Sequence, residues 1–538
     1  MTAKASLLKV SIVTLSLVAA VATLAVALAW RGGPFLAAQQ QRPRRVGEQT
    51  APPPGGILRA GSDLNAALKR AQPGDTIVLE AGATFTGPIT LPVKSGEAYI
   101  TLRSSAPDSA LPAAGGRVTP AYAGAMPKII SPGRGDPALK TAPGAHHFRF
   151  VGIEFKPSDS SALVYDLLQL GNGDHSQNRL DLVPHHLSFD RCYIHGDAAG
   201  TLKRGVALNS AETEIVNSYI SECKIKGYDS QAIAGWNGPG PFRIENNYLE
   251  GAGENVMFGG ADPSVPNLVP SDIEFRRNHV FKPTAWRGQW TVKNLFELKN
   301  AQRVRMDGNL FENNWGDAQI GFAIVFTPRN QEHTAPWSVV RDVEFTNNIL
   351  RHTASAFNIL GQDDNATSEP TRNIRIDNNL VYDVDGARWS GHGFGLMFSG
   401  GGGTGIQLTH NTMITTYRGL QFEVSRQKVK GLTVLNNIMH DIGGGSDVGT
   451  AALNWGAEQW EVRRNIIIGV WPNQPHPPDN LAPPPTSGFD VLGFANAASG
   501  DYRLAARSPY KKPGTDGRSI GCDLDALTGA MNAAQPAG

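Results

Sequence analysis

A short pattern recurs through the middle of this 538-residue chain: apolar, any residue, apolar, two residues, a slot usually filled by Asn, any residue, apolar. Complete copies include Phe242-Ile244-Asn247-Leu249, Ile273-Phe275-Asn278-Val280, Val304-Met306-Asn309-Phe311 and Ile374-Ile376-Asn379-Val381. The slots fall at 153, 192, 218, 247, 278, 309, 348, 379, 411, 437 and 465, spaced 26 to 39 residues apart. Eight of them hold Asn, and the first three hold Ile153, Cys192 and Ser218. Apolar residues two apart describe a strand with one buried face. The break of three around the slot means that the chain turns a corner there while keeping its apolar side inward. Asn tolerates the left-handed backbone that tight corners require, so the slot residue itself is expected to take that conformation. Stacked in successive coils, Asn side chains can hydrogen-bond along the stack. Eleven copies therefore predict a solenoid of short strands with Asn247, Asn278, Asn309, Asn348, Asn379, Asn411, Asn437 and Asn465 in one column. Leucine-rich repeats would be shorter, and propellers carry Trp-Asp or Gly-His marks that are absent. A solenoid also explains the length, since it grows by adding repeats rather than by enlarging one core.

Both ends look capped. Residues 63–72 predict a short amphipathic helix, and Pro73-Gly74-Asp75 turns into the strand Thr76-Ile77-Val78-Leu79-Glu80. Near the other end a Pro-rich stretch, 472–485, precedes Asp501-Tyr502-Arg503-Leu504 and Gly514-Thr515-Asp516-Gly517. The opening resembles the N-terminal cap of the pectate-lyase-like superfamily, and the ending that of bacterial right-handed β-helix proteins of unassigned function. The resemblance covers roughly residues 57–525. It implies an all-β, right-handed parallel β-helix with a short N-terminal capping helix, leaving 526–538 as a tail.

The N-terminus reads as an export segment. Lys4 and Lys9 precede an uncharged run from Val10 to Trp30, with Arg31 behind it. Residues 1–30 are thus a signal peptide, cleaved after Ala27-Leu28-Ala29, or an uncleaved signal anchor long enough to span a bilayer. The Pro- and Arg-rich stretch 31–56 is a linker. An extracellular or periplasmic protein is expected, a monomer that touches the membrane only through this segment. Lys+Arg of 49 against Asp+Glu of 48 gives no basic footprint for nucleic acid. Three cysteines (Cys192, Cys223, Cys522) make no disulfide framework.

Another strand follows each slot by about ten residues. The positions just past these strands give Asn209, Trp236, Asn237, Asp262, Lys299, Arg329, Asp363 and Asp364, a polar edge on which an acidic polysaccharide could bind. Asp262, Asp363 and Asp364 are also candidate calcium ligands. Phe296-Glu297-Leu298-Lys299-Asn300, Gly308-Asn309 and Thr327-Pro328-Arg329-Asn330 together resemble the Lys-then-Arg arrangement of chondroitinase B and related alginate lyases. The resemblance implies Lys299 as base and Arg329 as its assistant, and Glu297 and His392 are expected to bind substrate. The stretch between them is longer here, and the family's Arg-His-Gly is replaced by Arg329-Asn330-Gln331. The competing reading is a plain ladder of salt bridges with Asp262 and Asp363. Gln362-Asp363-Asp364 and Ser390-Gly391-His392-Gly393 resemble two polygalacturonase motifs, although the other two motifs of that hydrolase family are missing. Trp236 is a candidate for stacking on sugar rings, and Trp286, Trp290, Trp315 and Trp389 are weaker ones. His146-His147 and His185-His186 read as strand-entry residues rather than metal ligands. The leading expectation is a polysaccharide lyase acting on a uronic-acid polymer by β-elimination. The alternative is a non-catalytic carbohydrate-binding or surface-structural solenoid.

Overall fold

Each copy of the pattern folds as two strands joined at the slot. In one coil Ser271–Arg276 leads into the Asn278 corner, His279–Phe281 leaves it, and Asn294–Leu298 follows after a loop. In a computed structural model, residues 55–423 and 427–532 are described. The export segment expected at 1–30, and the linker as far as residue 54, lie outside the described residues. The coils stack in parallel register, pairing Ile273 with Val304, Val280 with Phe311 and Phe296 with Ile324. Within the solenoid most strands thus pair in parallel with their counterparts one coil on. Three long sheets result among the described residues, of 15, 13 and 13 strands. The first sheet holds the strands before the Asn corner, the second those after it, and the third completes the coil. The architecture is a right-handed parallel β-helix.

Alternation in every strand aims one set of side chains at a single interior column. Phe275, Phe311 and Phe345 stack there with ring centroids 6.3 and 5.6 Å apart, and all three are buried. Each such ring contributes on the order of 2–3 kcal/mol of burial. The eight Asn residues form the expected column. Asn309 donates Nδ2 to Phe275 O at 2.9 Å and to Asn348 Oδ1 at 2.9 Å, and its backbone N–H donates to the same Oδ1 at 2.8 Å. The ladder continues past the last repeat, because Asn465 N donates to Asn480 Oδ1 at 2.9 Å. The pattern did not reach Asn480, which lies in the Pro-rich stretch.

One expectation about the corner needs correcting. The slot Asn residues are not left-handed; the residues before them are. Asn217, Asn246, Arg277, Gly308, Asn347, Asn378, His410, Asn436 and Arg464 have φ between +51° and +67°. This divides the labour. The preceding residue makes the turn, and the slot Asn keeps ordinary backbone with its amide buried along the stack.

At the N-terminal end the helix Leu64–Arg70 buries Leu64, Ala67 and Leu68 against the first coils. Asp63 caps it by accepting a hydrogen bond from Ala66 N at 2.9 Å. The helix Gly449–Gly456, which sequence did not suggest, packs against Ile442–Gly444 at the other end. The C-terminal segment then doubles back along the Asn corner: Thr515 N donates to Asn436 Oδ1 at 2.8 Å, and Cys522 N to Thr412 Oγ1 at 3.0 Å. It ends in the helix Leu524–Asn532, which crosses the boundary expected at 525. Gly308 faces that helix, and a Cβ there would lie 2.7 Å from Ala530 O. From the other end Arg117 reaches Asn246 O and Arg277 O, each at 2.9 Å. Two straps therefore cover the corner.

Candidate active-site groove

On the outer face of the third sheet, Glu297, Val325, Asn358 and Met397 occupy one register column on four successive coils. Two residues beyond Glu297 the strand gives way to Lys299, and two coil-ends meet where Arg329 N donates to Lys299 O at 2.9 Å. Lys299 and Arg329 line one cavity of about 280 Å³, together with Glu297, Gln319, Phe322, Val325 and Asn358. Phe322, Val325, Phe394 and Met397 form an apolar cluster that extends the floor along the sheet. Exposed His392 stacks on Phe394 at 5.1 Å. Cations at one edge of an apolar floor suit a ligand that carries both carboxylates and sugar faces.

Each cation has its own counter-charge. Lys299 Nζ lies 3.3 Å from Glu297 Oε1, and the Glu297 side chain is only 2% exposed. Arg329 Nη1 donates to Asp363 Oδ1 at 2.6 Å and to Asp364 Oδ1 at 2.7 Å. The charge of each cation is therefore offset by a carboxylate of its own. One coil back from Glu297 on the same sheet, Glu254 accepts from Gln231 Nε2 at 2.7 Å and pairs with Lys293 Nζ at 3.4 Å. Burial, and then the charges of Glu297 and Asp229, push the Glu254 carboxyl up to about 7.

The aspartates hold a loop. Asp262 accepts from Gln331 N at 2.7 Å, Glu332 N at 3.1 Å, Thr334 N at 2.8 Å and Thr334 Oγ1 at 2.8 Å. From the other side Asp363 Oδ2 accepts from Asn330 N at 2.7 Å. Asp262 and Asp363 thus clamp the segment that carries Arg329, and their oxygens are occupied by these donors rather than open to a sugar. The expected column of Asp262, Lys299, Arg329 and Asp363 is not a register column. Lys299 directly follows its strand, whereas the other three lie in loops. Asp364 remains exposed. With its side chain fully buried against Arg329, Asp363 is poorly placed for the proton transfer a polygalacturonase-like hydrolysis needs.

Asn209, Trp236 and Asn237, expected to bind substrate, are bonded to neighbouring loops. Asn209 and Asn237 are buried. Asn209 Oδ1 accepts from Trp236 N at 3.0 Å and Asn237 N at 2.9 Å. Asn237 Nδ2 donates to Asn172 O and Gln177 O, each at 2.9 Å. Trp236 donates Nε1 to Gly173 O at 2.9 Å, with the Arg204 guanidinium 5.0 Å from its ring. These residues hold the loops at one end of the groove. Trp286, Trp315 and Trp389 are buried in a cluster of their own, with Trp290 packed against it. Gln319, Phe322 and Asn358, by contrast, line the cavity without having been singled out from sequence.

No family model and no curated protein matches the chain. Among solved structures it is similar to an alginate lyase from Paenibacillus sp., with 15% identity, 69% of this chain and 93% of that one covered, and a TM-score of 0.30. It is similar also to a pectate lyase, with 13% identity, 87% and 96% covered, and a TM-score of 0.37. A third is the catalytic unit of an α-1,3-glucanase from Streptomyces thermodiastaticus, with 13% identity, 81% and 67% covered, and a TM-score of 0.41. The likeness is one of fold.

Proposed function

We propose that this protein is an exported, carbohydrate-active β-helix enzyme that binds a uronate-containing polysaccharide along the third sheet and cleaves it by β-elimination. The observation that supports this reading is the cavity shared by Lys299 and Arg329 above an apolar floor. A uronate's C5 proton becomes acidic only when its carboxylate charge is offset. Arg329, permanently charged and planar, suits that role. Lys299 in its neutral form takes the C5 proton, the C4–C5 double bond forms, and the C4–O4 bond breaks. The departing O4 takes up a proton, which the newly charged Lys299 can return. A calcium ion on Asp262, Asp363 and Asp364 would have to displace the donors those oxygens already accept, so the proposal gives charge neutralisation to Arg329.

One observation favours a second reading, a groove that binds acidic polysaccharide without cleaving it: both cations already carry carboxylate partners. Incubating the full chain with alginate, pectate and chondroitin separates the two. The lyase reading expects growing ultraviolet absorbance from the unsaturated uronate with at least one polymer. Retention of a polymer on the protein with no such absorbance would favour binding alone.

A further inference from the structure

A second cluster lies on the first sheet, away from the groove. His146-His147 and His185-His186 open strands on adjacent coils, with His185 in register beside His146. Neighbouring residues in a regular strand point to opposite faces. Here they do not, because His147 (φ +59°) and His186 (φ +53°) take left-handed backbone. That kink brings both rings of each pair together, Nδ1 to Nδ1 at 2.7 Å. The pairs then stack coil on coil, His146 on His185 at 4.8 Å and His147 on His186 at 4.3 Å. One coil on, Glu212 repeats the kink at φ +44°, and its Oε2 meets His186 Nε2 at 2.8 Å. One coil back, Tyr99 packs edge-on against His147 at 5.1 Å. The buried Tyr99 hydroxyl has no hydrogen-bond partner.

We propose that His147, His185 and His186 form a binding site for a first-row divalent transition metal ion of the zinc or copper class, with Glu212 beside them. Their ligand atoms lie within 4.8 Å of one another. Around a tetrahedral zinc, with Zn–N bonds of about 2.0–2.1 Å, ligand nitrogens stand about 3.4 Å apart. Binding would draw the wider separations in and open the 2.7 Å contact between His185 and His186. Imidazole donors select zinc, copper or nickel over magnesium and calcium, which prefer oxygen. Glu212, already bonded to His186, is placed either to orient that ring or to supply a fourth ligand. Two coils contribute the three nitrogens, so a bound ion ties together strands 39 residues apart in the chain. This is a clamp on the N-terminal coils, independent of the polysaccharide groove.

The full chain, stripped with EDTA and dialysed against ZnCl2, is expected to retain one zinc per molecule and to melt at a higher temperature. MgCl2 and CaCl2 are expected to change neither. A variant carrying His147→Gln and His186→Gln is expected to lose both the zinc and the shift in melting. No stoichiometric zinc on the native chain, or undiminished zinc on the double variant, overturns the proposal. If that variant does not fold, Co(II) on the native chain decides. Intense visible absorption from a tetrahedral, nitrogen-ligated ion supports the site, and the weak spectrum of hydrated cobalt overturns it.

Discussion

Asn348→Ala removes a central rung of the buried ladder. Four hydrogen bonds end on its amide: Oδ1 accepts from Asn309 N at 2.8 Å and Nδ2 at 2.9 Å, and Nδ2 donates to Met306 O at 3.0 Å and Asn379 Oδ1 at 3.2 Å. Asn348 is fully buried, as are its Asn neighbours. Alanine therefore strands the Asn309 N–H and the Met306 carbonyl where water does not replace the lost partner. Each stranded group costs about 1–3 kcal/mol, so the substitution is expected to cost about 3–5 kcal/mol. Asn480→Ala removes the last rung, which is only half-buried. Water can satisfy its partners, and a loss of about 1 kcal/mol is expected. Urea unfolding reports the totals, and hydrogen exchange at the Asn309 amide reports where the loss falls. Equal costs at the two rungs, or unchanged protection at Asn309, would show that the ladder does not carry the stability assigned to it.

Further outcomes follow from the groove and the polar network one coil back. Asp262→Ala frees the 331–334 segment, and it is expected to raise exchange at Gln331 and Thr334 and to weaken polymer binding without unfolding the helix. Phe322→Ala takes away part of the apolar floor, and it is expected to weaken polymer binding several-fold, read by affinity electrophoresis. Glu254, whose carboxyl is raised from 4.5 to about 7, holds its proton in the folded chain at pH values where the unfolded chain has lost it. Its contribution to stability is therefore full below 4.5 and declines as pH rises towards about 7. Glu254→Gln keeps a partner for Gln231, and a urea-unfolding series across that interval is expected to show a flatter pH dependence than the native chain.

How far sequence reached depends on whether a feature is set locally or by register. The Asn column was legible because strand alternation and the slot recur within eight residues of each copy. The pairing of Lys299 with Arg329 in one cavity was legible because both follow strands of the same sheet. Which corner residue turns left-handed was not, since positions such as Asn246-Asn247 and Asn378-Asn379 are chemically alike on either side. Asp262 misled because its partners lie 69 to 72 residues away, on a loop whose path the strand pattern does not fix. Phe322 was not singled out because the strand Phe322–Phe326 is apolar and buried along its whole length, so no alternation marks an outer side. The histidine pairs do open strands, as expected. Only the inter-coil register places His147 over His186, and only the left-handed kinks put both rings of each pair on one side.

The central claim is that Lys299 and Arg329 perform chemistry in the groove. Lys299→Ala tests it most directly, with elimination and polymer affinity measured on the same preparation. The account predicts a fall in the rate of unsaturated-uronate formation of about 10²–10⁴-fold, with affinity and melting temperature nearly unchanged. A native chain that forms no unsaturated product, or a Lys299→Ala variant that loses stability while turning over at the native rate, would contradict it and leave the Lys299–Glu297 contact as a structural ion pair.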